Sequence, residues 1–136
     1  MRRRRVFWAL TALWLLLIWF QSVLSADLSK EESGRLFLFL QQFLPWLTHN
    51  ITRKLAHFTE YAVLGSLFLG AVLGGRIRST AFPPLFGMTA AMVDETVQLF
   101  SPGRSGQITD VWLDLAGFLL GYGFFRLIFR KKTRTE

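Results

Sequence analysis

Apolar segments of membrane-spanning length are the feature that most constrains how this 136-residue chain folds. Four such segments are visible, at about residues 6–25, 54–74, 80–100 and 108–128, and a helix needs roughly 20 residues to cross a bilayer. Because 51% of the residues are hydrophobic and 14 are Phe, a soluble domain of this length could not bury them all. The sequence therefore predicts an all-α, integral membrane four-helix bundle that forms a single domain over residues 1–136.

Basic residues are distributed unevenly between the two ends of the predicted spans. With the N-terminus inside, eleven of the 16 Lys and Arg residues lie inside, and eight of the nine acidic residues lie in the outer half. Cytoplasmic ends of membrane proteins carry an excess of Lys and Arg. The distribution predicts an N-in/C-in orientation, and it explains the net charge of +7 without a nucleic-acid partner.

The first span allows two interpretations. Residues 6–25 follow four arginines and precede Ala26, an arrangement that also fits a cleaved signal peptide. Against cleavage, the apolar run is long and contains Trp8, Trp14 and Trp19. We therefore expect residues 1–26 to be an uncleaved anchor, with a signal peptide as the alternative.

The segment between spans one and two is too short and too often interrupted by polar residues to cross a membrane. A polar stretch at 27–33 is followed by an apolar stretch at 36–47 that contains Gln41 and Gln42. This pattern predicts an interfacial segment at about 31–47 that ends near Pro45. An ordinary loop packed on the bundle fits the same residues.

Ionisable residues of three spans fall on the same, outer side of the predicted bundle. Charge inside a membrane segment is costly and normally faces the bundle interior or a water-filled cavity. Their common depth therefore predicts one shared site that opens to the outer face. The candidate residues are Arg53, Lys54, His57 and Glu60 of span two, Asp94, Glu95 and Gln98 of span three, Arg104 of the next turn, and Asp110 and Asp114 of span four.

These residue types divide into two candidate roles. Imidazole and carboxyl groups can move protons, whereas bases and amides can hold a phosphate or another anionic group. A structural network of ion pairs is the alternative, in which Glu60 pairs with a nearby base and Asp110 favours the start of its helix. Gly117 and Gly121 are expected to serve helix packing. The candidate catalytic residues are His57, Glu60, Asp94, Glu95 and Asp110, and the candidate ligand-binding residues are Arg53, Lys54, Gln98, Arg104 and Asp114.

The pattern leaves the cofactor undetermined. A His-x-x-Glu pair with carboxylates from other helices is compatible with a divalent metal, although one His among acids and bases is a weak ligand pattern. The chain has no cysteine, which excludes thiolate ligands and disulfides. The sequence contains no Ser-His-Asp arrangement, phosphate loop or dinucleotide fingerprint.

Three motifs in order over about residues 50–125 resemble the signature of the VanZ-like family. They are Arg53-Lys54-x-x-His57-Phe58-x-Glu60-Tyr61, then Asp94-Glu95-x-x-Gln98-x-Phe100-x-Pro102-Gly103-Arg104, then Asp110 with Gly117 and Gly121. The resemblance implies a small multi-pass protein of the bacterial cytoplasmic (inner) membrane. The namesake of the family is associated with low-level teicoplanin resistance, without the altered peptidoglycan terminus that other resistance proteins make. The family commonly has Asn at the position of Asp114, so this chain has a more acidic pattern there.

The resemblance and the outer cluster together lead to a main functional hypothesis and an alternative. In the first, the protein contributes to glycopeptide tolerance, and its outward-facing site binds or acts on an envelope lipid, a lipid-linked wall precursor or the glycopeptide. Whether it catalyses a reaction and how many copies assemble are left open. In the alternative, the charges only lock the helices of a structural or regulatory scaffold. An ion path is disfavoured, because spans two to four have no charged residue in their inner half except near their ends.

Overall fold

The computed structural model describes residues 2–23, 37–39, 41–45, 48–73, 81–102 and 106–132. Within these ranges all regular secondary structure is helical, and no residue is in a strand. The predicted all-α class is therefore confirmed for the described chain. The four long helices are α1 (Arg2–Val23), α2 (His49–Val72), α3 (Phe82–Leu99) and α4 (Ile108–Lys132).

Three of these helices are long and apolar enough to cross a membrane, namely Arg2–Val23, Asn50–Val72 and Ile108–Phe129. The third helix, α3, is not among them. It has 18 residues, fewer than the predicted span at 80–100, and its last two turns are polar. The other helices are longer than predicted, because α1 begins at Arg2 and α2 at His49, and α4 continues to Lys132.

The helices begin and end where local side chains favour it. Thr48 precedes α2 in an extended conformation, and its side chain accepts a hydrogen bond from the N–H of Ile51 at 3.4 Å. Pro83 and Pro84 occupy the first turn of α3, where a missing N–H costs no helical hydrogen bond. Of the predicted interfacial segment, only 37–39 and 41–45 lie within the described residues, and 37–39 are helical.

The closest helix contact joins α2 and α4 through glycines. A Cβ atom at Gly117 would collide with the carbonyl oxygen of Phe58, and one at Gly121 would collide with that of Ala62. Since these contacts advance together along both helices, α2 and α4 run parallel with their backbones touching. The predicted packing role of Gly117 and Gly121 is confirmed.

Helices α1 and α3 complete the packing. Helix α1 contacts α2 and α3, and α4 contacts α3 as well as α2. In one half of the protein, Phe68 of α2 stacks on Phe86 of α3 with ring centroids 4.4 Å apart. Phe118 and Trp8 pack against the same ring at centroid distances of 5.6 and 5.8 Å. Large apolar side chains such as Leu16 of α1 are exposed outside this core, as expected for helices that contact lipid.

Gly121→Ala should lower the free energy of unfolding by about 1–3 kcal/mol, the usual cost of overpacking. The physical reason is that the added methyl group meets the backbone of α2 at Ala62. Gly123→Ala is the matched control on the same helix, since nothing lies within 4 Å of a Cβ there. Thermal unfolding of both variants in detergent micelles checks this, and equal stability of the two would contradict the packing role.

Candidate functional site

The polar residues of the helices gather at one end of the protein. The last turns of α1 and α3 reach this end, and α2 and α4 begin there. A hydrogen bond between Ser22 and Asp94 joins α1 to α3, and an ion pair between Lys54 and Asp110 joins α2 to α4. The aromatic core around Phe68 lies toward the other end, so this core and the buried acids are separated along the helix axes.

Asp94 lies at the centre of this end and is fully buried, with 0% of its surface exposed. The hydroxyl of Ser22 donates a hydrogen bond to its Oδ1 atom. Its Oδ2 atom lies 3.5 Å from Nδ1 of His57 and accepts a hydrogen bond from Nε2 of Gln98, also at 3.5 Å. Gln98 reaches the carboxylate because residues four apart share a helix face. Asp94 is therefore contacted from α1, α2 and its own helix.

Asp114 lies beside this centre and is also fully buried. Neither of its carboxylate oxygens has a hydrogen-bond partner among the described residues, and the same holds for the hydroxyl of Tyr61. One ligand atom from each of His57, Asp94 and Asp114 lies within 4.8 Å of the others. In the described chain, these three residues form the group that could share a metal ion, and the imidazole could exchange a proton with the carboxylates.

The bases of α2 lie above this buried group and contact Asp110 of α4. Lys54 forms an ion pair with Asp110, and a guanidinium nitrogen of Arg53 lies 3.7 Å from the same carboxylate. These ion pairs go to the first turn of α4, because the parallel contact of α2 and α4 places Asp110 beside the two bases.

Glu95 points away from Asp94, as expected for adjacent residues about 100° apart on a helix. Its Oε2 atom accepts a hydrogen bond from the backbone N–H of Gln107 at 2.7 Å, just before α4 begins. Glu95 also lines a cavity of about 330 Å³ between α3 and α4, together with Met92 and Trp112. The two acids therefore serve different neighbours.

Two predicted site residues remain, Glu60 and Arg104. Glu60 is half-buried on α2, where its backbone carbonyl accepts a hydrogen bond from the indole of Trp14 at 2.9 Å. Arg104 lies outside the described residues. The structure thus brings together His57, Asp94, Gln98 and Asp114 as one group, and Arg53, Lys54 and Asp110 as a second group above it.

Sequence reasoning missed the contribution of α1. Ser22 was not a candidate, yet its hydroxyl contacts Asp94, and its carbonyl oxygen accepts a hydrogen bond from Ser101 at 2.6 Å. Thr11, Ile18 and Ser22 share the buried face of α1, but they form no periodic polar pattern that would have marked Ser22 in the sequence. The buried hydroxyl of Tyr61, which follows His57 by one turn, was likewise not assigned to the site.

Ser22→Ala should lower the free energy of unfolding by about 1–3 kcal/mol, because buried Asp94 loses its hydroxyl donor. Ser66→Ala is the matched control, since among the described residues the Ser66 hydroxyl bonds to a carbonyl of its own helix, that of Ala62, at 2.8 Å. Thermal unfolding in detergent micelles should show a clear loss for the first variant and little change for the second. A loss of the same size in both would remove the special role of Ser22.

Comparison with known families identifies one that matches most of the chain. The sequence profile of the VanZ/LLP1 family matches residues 7–130, a range that includes both polar groups and parts of all four helices. No curated protein and no solved structure matches the chain. The match extends over far more than half of the sequence and confirms the resemblance carried by the three motifs. The chain belongs to the VanZ/LLP1 family.

Proposed function

We propose that the chain is a multi-pass protein of the bacterial cytoplasmic (inner) membrane, with four spans and both termini inside. In this topology α3 is the third span, and the polar end of the helices faces the outside. The distribution of Lys and Arg supports this orientation, because they are concentrated at the opposite ends of α1 and α4. The helix order supports it too, since the polar turns at the ends of α1 and α3 and at the starts of α2 and α4 lie at one end.

The polar end, in this proposal, binds or acts on an envelope lipid or another anionic ligand, such as a lipid-linked wall precursor or a glycopeptide. The observation that carries it is the buried group of His57, Asp94 and Asp114, beneath bases that stay partly exposed. The side chains of Arg53 and Lys54 are 26% and 36% exposed, so they can meet an anionic group that approaches from outside. Binding of this kind would contribute to glycopeptide tolerance, here to teicoplanin.

An apolar groove favours a ligand with a lipid part. It has a volume of about 410 Å³ and runs along α2 and α4, from Thr59 beside the polar end to Phe124 in the other half. Its walls are almost entirely apolar side chains. A headgroup held by the bases of α2 could therefore extend an acyl or isoprenoid chain along the outside of the two helices.

Asp94→Asn and Glu60→Gln should each abolish teicoplanin tolerance in a sensitive bacterial host that expresses the protein, while its membrane level stays normal. Both substitutions remove a carboxylate charge and keep nearly the same shape. Thr96→Ala is the control on α3, because this exposed hydroxyl bonds, within the described part of the chain, to a carbonyl of its own helix at 2.6 Å. The measurements are the inhibitory concentration of teicoplanin and the amount of protein in the membrane. Full tolerance in both acid variants would refute a working site.

The structural alternative rests on the ion pairs that join α2 to α4. In that case the protein is a scaffold, and the pairing of Asp110 with Lys54 and Arg53 mainly holds two parallel helices in register. A hydrogen bond from Ser22 to Asp94 likewise joins α1 to α3. Loss of a charge would then reduce the amount of folded protein directly, and any loss of ligand binding would only follow from that.

Lys54→Gln and Asp110→Asn test this lock as a double-mutant cycle. A lock predicts that each single change destabilises the protein and that the double variant recovers about 0.5–3 kcal/mol of coupling energy. Lys54→Gln combined with Arg126→Gln is the control pair, because Arg126 lies near the far end of α4. Thermal unfolding in micelles gives both couplings. A coupling near zero for Lys54 and Asp110 would contradict the lock.

A further inference from the structure

Three side chains from three helices converge at one buried point of the polar end. They are His57 of α2, Asp94 of α3 and Asp114 of α4, and their ligand atoms lie within 4.8 Å of one another. We propose that these residues bind a divalent transition-metal ion, Zn²⁺ or Mn²⁺, between the helices. This site stands on the geometry of the three residues and does not depend on a glycopeptide phenotype.

The spacing of the ligand atoms fits one metal ion. With bonds of about 2.1 Å in a tetrahedral arrangement, ligand atoms lie about 3.4 Å apart. Nδ1 of His57 and Oδ2 of Asp94 are already 3.5 Å apart. The separations within the full group reach at most 4.8 Å and must shorten by up to about 1.4 Å, which rotation of the side chains can provide.

Asp114 is the observation that distinguishes this group from an ordinary cluster of acids. Its carboxylate is fully buried, yet neither oxygen has a hydrogen-bond partner among the described residues. A buried carboxylate without a partner is strongly unfavourable and normally acquires a proton, an opposite charge or a metal. The described bases of α2 contact Asp110 instead, so a cation between Asp94 and Asp114 would balance two carboxylates at once.

The chemistry of the ligands selects the class of metal. Imidazole with carboxylates suits Zn²⁺ and Mn²⁺, whereas Ca²⁺ and Mg²⁺ prefer all-oxygen sites. The surrounding residues orient the carboxylate of Asp94, because Ser22 donates to Oδ1 and Gln98 donates to Oδ2. Such outer partners are typical of metal sites and hold the ligand in place.

Three protein ligands leave at least one coordination position for another oxygen. A phosphate or carboxylate oxygen of an anionic ligand could occupy it, which would let an acidic group approach a site that is itself lined with carboxylates. The metal would also supply the positive charge that Arg53 and Lys54, paired with Asp110, supply only in part.

Metal titration of the full-length protein in lipid nanodiscs tests the site, with a purification tag that contains no histidine. After treatment with a chelator, the protein should bind one Zn²⁺ or Mn²⁺ per chain and unfold at a higher temperature in its presence. Asp114→Asn should weaken binding by more than the roughly 10–100-fold that loss of an outer partner costs. Glu136→Gln removes the same charge at the C-terminus and should bind like the parent chain. Folded parent protein without stoichiometric metal, or an Asp114→Asn variant with unchanged affinity, would overturn the proposal.

A spectroscopic measurement keeps the test decisive if Asp114→Asn does not fold. The chain has two histidines, so His49→Gln leaves His57 as its only imidazole. Electron spin echo spectra of Mn²⁺ bound to His49→Gln should show coupling to an imidazole nitrogen. Bound Mn²⁺ without that coupling would place the ion elsewhere and overturn the assignment of His57. Unchanged teicoplanin tolerance in metal-free variants would leave the metal site intact and count only against the proposed function.

Discussion

The burial of Asp94 is the constraint around which the polar end of this protein is arranged. A carboxylate in the interior of a membrane protein needs partners, because neither lipid nor bulk water can stabilise it there. The partners come from a hydroxyl of α1, an imidazole of α2 and an amide of its own helix. Three helices must therefore reach the same depth. The apolar first helix is consequently a structural part of the site and more than an anchor beside it.

The parallel contact of α2 and α4 determines which side chains of those helices meet. Glycines bring the two backbones together at Phe58 and Ala62, and this register places Asp114 near His57 and Asp110 near the bases one turn earlier. The glycines therefore have two effects. They allow close packing, and they determine which charged residues of the two helices lie side by side. The outcome is two layers, with a partly exposed ion pair above and a buried imidazole–carboxylate group below.

The sequence was sufficient for the helical class, for the family and for the gathering of polar residues at one end. That gathering follows from topology alone, since the ends of α1 and α3 and the starts of α2 and α4 lie at the same end of the bundle. The partner of each charge did not follow, because it depends on how each helix is rotated and on the glycine register, which no single motif encodes. Ser22 was missed because one serine in a long apolar helix gives no periodic signal. The helix α3 also begins two residues later and ends one residue earlier than its predicted span at 80–100.

The short third helix has a consequence for the bilayer around the protein. Its 18 residues extend over about 27 Å at 1.5 Å per residue, and the last two turns are polar. In the four-span topology, the apolar part of α3 is then shorter than the hydrocarbon core of about 30 Å. The bilayer beside α3 must become locally thinner to match it, or lipid headgroups and water must penetrate toward Asp94 on that side. The membrane would be indented beside the acids, so a lipid headgroup could reach their depth without leaving its leaflet.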